Sequence, residues 1–411
     1  MTSIASSPPV LNLVDQRMFA DPWPTFAALR RDEPVARVKA RGLLRGTGWM
    51  FTRYDDVLRV HADKTFSSDP TSSGRAATKA KRFMPKVFRL LTDSMVYKDD
   101  PEHKRLRSLV NKAFTPRIVS RMEADVEAIV DRLVDDLARH DGPVDLIEAF
   151  AVALPLAVIS DMLGVTDRER DQFHKAMSRF LHSTESAMTM VRNLPTGQRL
   201  VRMFEEMAAD RRIHPDDRLV TALVQSREHG DELSEAEIVS MIFLLLLAGH
   251  DTTSNLIGVG ILELLANPDE LERLRAEPDL AESAAEELVR YTAPVLHGSP
   301  RFVTDDVEIH GHVIPRGSQV IGMIASANRD EAVFDDPDRL DLGRDTKRHI
   351  GFAFGSHYCL GNQLARLEGR IAFRALTQRF EHIELAVPRH ELLFKLTPSL
   401  RGLRTLPLRL A

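Results

Sequence analysis

Apolar residues recur at helical spacing over most of this chain. Residues 102–114 follow Asp100 and Pro101, an acidic residue and a proline placed where helices start, and the pattern predicts a helix there. Pro116 opens a second amphipathic run to about residue 139, and further helices are predicted over 145–163, 167–182 and 195–211. Ser234 with Glu237 three positions on forms a capping box that opens a long segment to about residue 265. From Phe243 to Ala248 that segment is apolar on every side, as a helix in the middle of a large protein should be. Asn267 and Pro268 end it, and helices over 269–276, 280–292 and 362–380 follow. Strand signals are short and lie towards both ends of the chain, at 35–38, 49–52, 301–303, 307–309 and 318–322. Residues 328–358 show no period, and a loop of that length in a compact protein is usually functional. The first 20 residues, with Ser and Pro up to Val14, read as a flexible lead-in. The expected fold is mainly α with small peripheral β-sheets, one large domain over residues 1–411.

Length alone would suggest two or three domains at roughly 150 residues each, but no Gly/Ser- or Pro-rich linker divides the chain. With 43% hydrophobic residues a large core is available. Sixty acidic against 55 basic residues give a formal charge of -5, which argues against nucleic acid as a partner. The longest apolar run, 241–248, is far short of the ~20 residues that span a bilayer, so a cytoplasmic protein without a membrane anchor is expected. Cys359 is the only cysteine, which excludes an intramolecular disulfide and any multi-cysteine metal site.

The strongest chemical signal surrounds that cysteine. The run from Phe352 to Gly361 reads Phe-Ala-Phe-Gly-Ser-His-Tyr-Cys-Leu-Gly and leads directly into a helix. A thiolate at that point is favoured by the helix N-terminus and its free N–H groups. Gly355 and Gly361 allow a tight turn and the close approach of a flat ligand. A lone cysteine is more often a bland buried residue, but the Gly, His and aromatic frame speaks against that here.

The segment resembles the cysteine loop of the cytochrome P-450 family of haem-thiolate monooxygenases. Phe352, Gly355, His357, Cys359 and Gly361 match its pattern; Ala353 departs, standing where the family has glycine and where a positive φ is expected. The resemblance implies haem b as cofactor, with Cys359 as axial ligand of the iron.

Other motifs fall in the family's order. Glu287 and Arg290, an i,i+3 pair common on any solvated helix, match the Glu-x-x-Arg motif, with Arg339 as the third member of a structural triad. Ala248-Gly-His-Asp-Thr-Thr253 breaks the apolar helix, and its composition predicts a local bulge or kink. By resemblance, Thr252 steadies activated oxygen, Asp251 relays protons, and Ala248 lies beside the haem. His103 and Arg107, at i,i+4, read alone as a basic solvated face; by resemblance they bind haem propionates together with Arg301 and His357.

The implied reaction inserts one atom of O2 into a hydrophobic small molecule of terpenoid, steroid, macrolide or fatty-acid type. Electrons from NAD(P)H would arrive through a separate ferredoxin and its reductase. That donor would meet a monomer at Lys104, Arg105, Lys112, Arg366 and Arg370, a set that reads equally well as solubilising charge. The substrate pocket is expected to include Met84, Phe88, Met95, Leu244, Ala248, Val295, Leu296 and Leu400, residues that ordinary core packing would explain equally well. Two alternatives share the fold: a peroxygenase driven by hydrogen peroxide, and a non-catalytic haem-based ligand sensor. Asp251 and Thr252 argue against the first, and Thr252 with the apolar pocket against the second.

Overall fold

The computed structural model describes residues 10–12, 15–40, 46–72, 85–111, 114, 116–165, 173, 175–176, 192–228, 231–397 and 399–411. Most of the helix expected over 167–182 lies outside these, as do Met84 and Lys112. The remaining expected helices stand as Glu102–Asn111, Pro116–Arg121, Glu123–Ala138, Leu194–Ile213, Glu235–Ala266, Pro268–Ala276, Ala281–Thr292 and Asn362–Arg379. The segment expected as one helix over 145–163 begins with the strand Val144–Asp145, then a π-helical turn, Ile147–Val152, and only then the α-helix Ala153–Leu163. Trp23–Asp32, Tyr54–Ala62 and Lys86–Thr92 are helices the pattern did not reveal, each too short to show more than three turns of period.

Glu235–Ala266 runs through the centre. Its capping box is complete: Ser234 Oγ accepts from the Glu237 backbone N–H at 3.3 Å, and Glu237 Oε2 accepts from the Ser234 N–H at 2.8 Å. By length and hydropathy this helix could cross a membrane, but half of its most apolar window is buried inside the protein. It packs against Ala153–Leu163, Leu194–Ile213, Ala281–Thr292 and Asn362–Arg379, with Phe243, Leu246 and Ile257 fully enclosed. Of the bulge or kink expected near Gly249, the bulge is not present. The α-helical assignment is unbroken through residues 248–253, and Thr252 is accommodated by donating its hydroxyl to the Ala248 carbonyl at 2.6 Å.

The strands from the two ends of the chain do meet. A six-stranded sheet has the order Val10–Leu11, Val35–Ala40, Gly46–Phe51, Gln319–Gly322, Arg301–Val303, Phe66–Ser67. Its seam joins Trp49 to Val320 and Met50 to Ile321 in parallel register, across a sequence gap that makes the fold one unit. The lead-in expected over residues 1–20 is corrected from residue 10 onward. Val10–Leu11 pairs with Arg37 and Val38, and Gln16–Ala20 is a helix capped by Asp15. Phe19 buries its ring, and Gln16 donates to the Phe394 carbonyl at 2.8 Å, so core contacts hold this segment.

The aperiodic stretch 328–358 is ordered by hydrogen bonds in place of period. Asn328 Oδ1 accepts from the Ile350 N–H at 2.8 Å, and Asp330 Oδ2 accepts from the Tyr54 N–H at 2.8 Å. The Tyr54 hydroxyl donates to the Arg348 carbonyl at 2.7 Å. That stretch delivers the cysteine loop to the underside of the central helix.

Candidate active site

A cavity of about 1280 Å³, open mouth included, lies between the central helix and the cysteine loop. Leu244, Leu245, Ala248, Gly249 and Thr252 form one wall, and Ala353, Tyr358, Cys359, Leu360 and Gly361 the other. Met95, Phe114, Ile159, Met162 and Leu219 add further apolar lining.

The cysteine loop turns under strain. Ala353 stands at φ 63°, the left-handed conformation its place in the motif foretold, and Gly355 follows at φ 75°. At Gly355 a Cβ would come within 3.0 Å of the His61 carbonyl oxygen, so only glycine fits. The Cys359 N–H donates to the Phe352 carbonyl at 2.9 Å, and Asn362 Nδ2 donates to the Cys359 carbonyl at 2.7 Å. A Cβ at Gly361 would meet nothing within 4 Å, and φ there is ordinary; the glycine keeps the cavity floor low beside the sulfur. Burial pushes the Cys359 thiol up, against the pull of a Gly361 backbone hydrogen bond and the charges of Arg107 and Arg366. Desolvation therefore outweighs the thiolate-favouring helix start expected from the sequence, and a cation bound at the sulfur would favour the thiolate. Among the described residues no group of three His, Cys, Asp or Glu could hold a metal, so an iron here would bring its other ligands with it.

One end of the cavity is basic. His103, Arg107, Arg301 and His357 converge there as expected, and His61, from Tyr54–Ala62, joins them. The His103 and His357 rings lie 4.0 Å apart, centre to centre. His357 Nε2 is 2.9 Å from Ser68 Oγ. Buried atoms Arg301 Nε and His103 Nε2 have no hydrogen-bond partner. Burial drives Arg107, Arg301 and His103 below their ordinary values. Burial, and then Arg301, push His357 down to about 2. Arg107 and Arg301 thus bring two guanidinium cations together with no carboxylate among the described residues hydrogen-bonded to either, which is costly unless an anion joins them. Two carboxylates on the edge of a flat macrocycle meet that need, so thiol, low floor and basic end all fit haem.

The remaining expected residues are sorted by position. Asp251 is half-buried next to Thr252 on the helix but does not line the cavity. Phe352 lies outside it also, under the Arg366 guanidinium at 4.3 Å. Glu287 and Arg290 are fully buried and doubly bonded at 2.7 Å. Arg339 is corrected: its exposed side chain reaches only Asp341 at 3.5 Å, and Arg344 takes the expected place on Glu287. Met95, Leu244 and Ala248 line the cavity as expected. Phe88, Val295, Leu296 and Leu400 do not: Phe88 packs into the core, Leu296 is buried, and Val295 bridges Leu400 in backbone pairing. Of the expected docking residues, Arg105, Arg366 and Arg370 are ion-paired with Glu102 and Glu237, Glu286, and Glu123, while Lys104 is exposed. Glu368, which the sequence did not single out, is the only carboxylate among the described lining residues; its Oε2 is unpaired and burial pushes it up to about 8.

Fold and site agree on a class: mainly α haem proteins whose iron takes a cysteine of the chain. The family model for Cytochrome P450 matches residues 74–392. The polyketide biosynthesis cytochrome P450 PksS of Bacillus subtilis is 37% identical over 95% of this chain and 96% of its own. Its solved structure superposes with a TM-score of 0.89 over 97% of this chain and 98% of that one, at 36% identity. The cytochrome P450 monooxygenase PikC of Streptomyces venezuelae is 39% identical over 98% of this chain and 95% of its own. The vitamin D(3) 25-hydroxylase of Pseudonocardia autotrophica is 38% identical over 96% and 95% respectively. The chain belongs to the cytochrome P450 family. It is a monooxygenase that uses haem b, O2 and electrons from reduced nicotinamide delivered through partners.

Proposed function

We propose that this enzyme hydroxylates bulky apolar small molecules of the polyketide, macrolide, steroid, terpenoid or fatty-acid type. The observation that carries the reading is that Cys359 and Thr252 line one cavity together with the apolar Met95, Phe114, Ile159, Met162 and Leu219. Those walls offer an apolar substrate burial without a polar partner, and the two methionines adapt to irregular shapes. The names of PksS and the vitamin D(3) hydroxylase place relatives on substrates of this kind. Haem, when bound, supplies the activation of O2 and its transfer to a C–H bond.

The chain's own residues bind and orient around it. His103, Arg107, Arg301 and His357 would hold the propionates, and Cys359 would ligate the iron. Ala248 and Gly249 keep the opposite wall low. Thr252 positions its hydroxyl over the cavity while donating to the Ala248 carbonyl, and Asp251 beside it moves protons inward from the surface. Electrons come from a separate ferredoxin, in the cytoplasm, to a monomer.

Purified protein reduced with dithionite and exposed to carbon monoxide should give the strongly red-shifted Soret band of thiolate-bound haem. Apolar candidates should then shift the resting spectrum on binding and be hydroxylated when NADPH, ferredoxin reductase and ferredoxin are supplied. An unshifted carbon monoxide band, or ligand binding without product, overturns the reading.

A further inference from the structure

Among the described residues His61 alone leaves both ring nitrogens buried and without a hydrogen-bond partner. It lines the cavity from Tyr54–Ala62, a helix whose other buried residues, Val57 and Val60 among them, pack into apolar core. Space is kept for the ring: a Cβ at Gly298 would meet its Cε1 at 3.0 Å, and one at Gly322 would meet its Nε2 at 3.5 Å. The charges around it are positive. Arg301 and His297 both act on the ring, and burial with these neighbours pushes it down to about 3. No carboxylate among the described residues hydrogen-bonds to His61 or Arg301. A leucine would suit this face of the helix better, unless something outside the chain uses the imidazole. Even as a neutral ring it brings one N–H donor.

We propose that His61 is a fifth donor to a carboxylate at the basic end of the cavity, and that this carboxylate is a haem propionate. Arg301 and His357, already assigned to the propionates, are both among the groups that interact electrostatically with His61, so one carboxylate between them satisfies all three. The inference rests on the haem assignment, and that assignment fails separately if the purified protein has no Soret band.

The test measures transfer of haem from the purified holoenzyme to excess apomyoglobin. His61→Leu should release haem about tenfold to a hundredfold faster, the loss expected for one hydrogen bond to a charged group. His61→Gln, which keeps a donor, should recover part of the difference. Protein reconstituted with haem dimethyl ester should show no difference between His61 and Leu, because the carboxylate is gone. Equal release rates from the native haem overturn the proposal. A difference that persists with the dimethyl ester also overturns it, since it marks a packing role. The other source of a carboxylate is the substrate. If His61→Leu leaves haem release unchanged but weakens the spin shift by myristate and not by methyl myristate, the propionate role of His61 is overturned in favour of a substrate anchor.

Discussion

Glu287 accepts a hydrogen bond from Arg344 Nε at 3.1 Å, and this contact ties the helix Ala281–Thr292 to the stretch that carries the cysteine loop. The same carboxylate oxygen accepts from Arg290 Nη2 at 2.7 Å and from the Asp341 N–H at 3.2 Å. Arg290 Nη1 in turn donates to the carbonyls of Asn328 and Pro337, both at 2.9 Å. Two buried groups thus fix four points of a segment that has no regular structure of its own. Arg339 is in that segment too, but its side chain points to solvent.

Removing Glu287 leaves the fully buried Arg290 guanidinium without its counter-charge. Glu287→Ala should cost about 3–5 kcal/mol, the range for breaking a buried pair, and yield protein poor in haem. Arg344→Leu should be destabilising in the same direction but by less, because Arg344 is partly exposed. Arg339→Ala should stay within about 0.5 kcal/mol of the parent. Urea unfolding with haem content as a second readout separates the three, and an Arg339 effect as large as that of Arg344 would refute the assignment.

Ala353 holds φ 63° where glycine would be unstrained. An L-residue in the left-handed region costs about 1–2 kcal/mol, and glycine loses about 0.5–1 kcal/mol to its freer unfolded chain. Ala353→Gly should therefore raise stability slightly, by up to about 1 kcal/mol, and Ala353→Val should lower it. Thermal unfolding of the haem-loaded variants checks the order. Val above Ala would show that the φ angle is not what matters at this position.

How much of this was legible depended on whether a feature was local. The capping box at Ser234 and Glu237, the left-handed turn at Ala353 and the helix after Cys359 are written within a few residues, and sequence reading found them. The strands Phe66–Ser67 and Val144–Asp145 are two residues long and exist only because distant strands pair with them. Arg344 and Arg339 differ by five positions in one charged stretch, and only the chain path says which reaches Glu287. His61 looks like a core histidine on an apolar helix face until Arg301, 240 positions later, is seen beside it. Val295, Leu296 and Leu400 are apolar and near the right motifs, but Val295 and Leu400 pair with each other through the backbone and none of the three lines the cavity.

Thr252 spends its hydroxyl proton on the Ala248 carbonyl at 2.6 Å, which leaves its oxygen free to accept over the cavity. Thr252→Ala should fold as well as the parent, since alanine is the better helix former. Product formed per NADPH consumed should fall by at least about tenfold, with hydrogen peroxide rising in its place, because positioned proton transfer is worth roughly 10²–10⁴. Thr252→Ser should stay close to the parent. Tight coupling in the alanine variant would remove the proton-delivery role.

Glu368 is buried in the cavity wall with Oε2 unpaired, and desolvation raises it to about 8 from 4.5. Between those two values the unfolded chain releases a proton that the folded protein keeps, so stability falls as pH rises through the window. The slope is at most about 1.4 kcal/mol per pH unit, and it vanishes above the folded value, where both states are ionised. Glu368→Gln keeps the shape and removes the titration. Urea midpoints from pH 5 to pH 8 should therefore diverge, with the glutamine variant gaining steadily on the parent as pH rises. Parallel curves would mean that Glu368 is ionised in the folded protein and has a partner that the unpaired oxygen conceals.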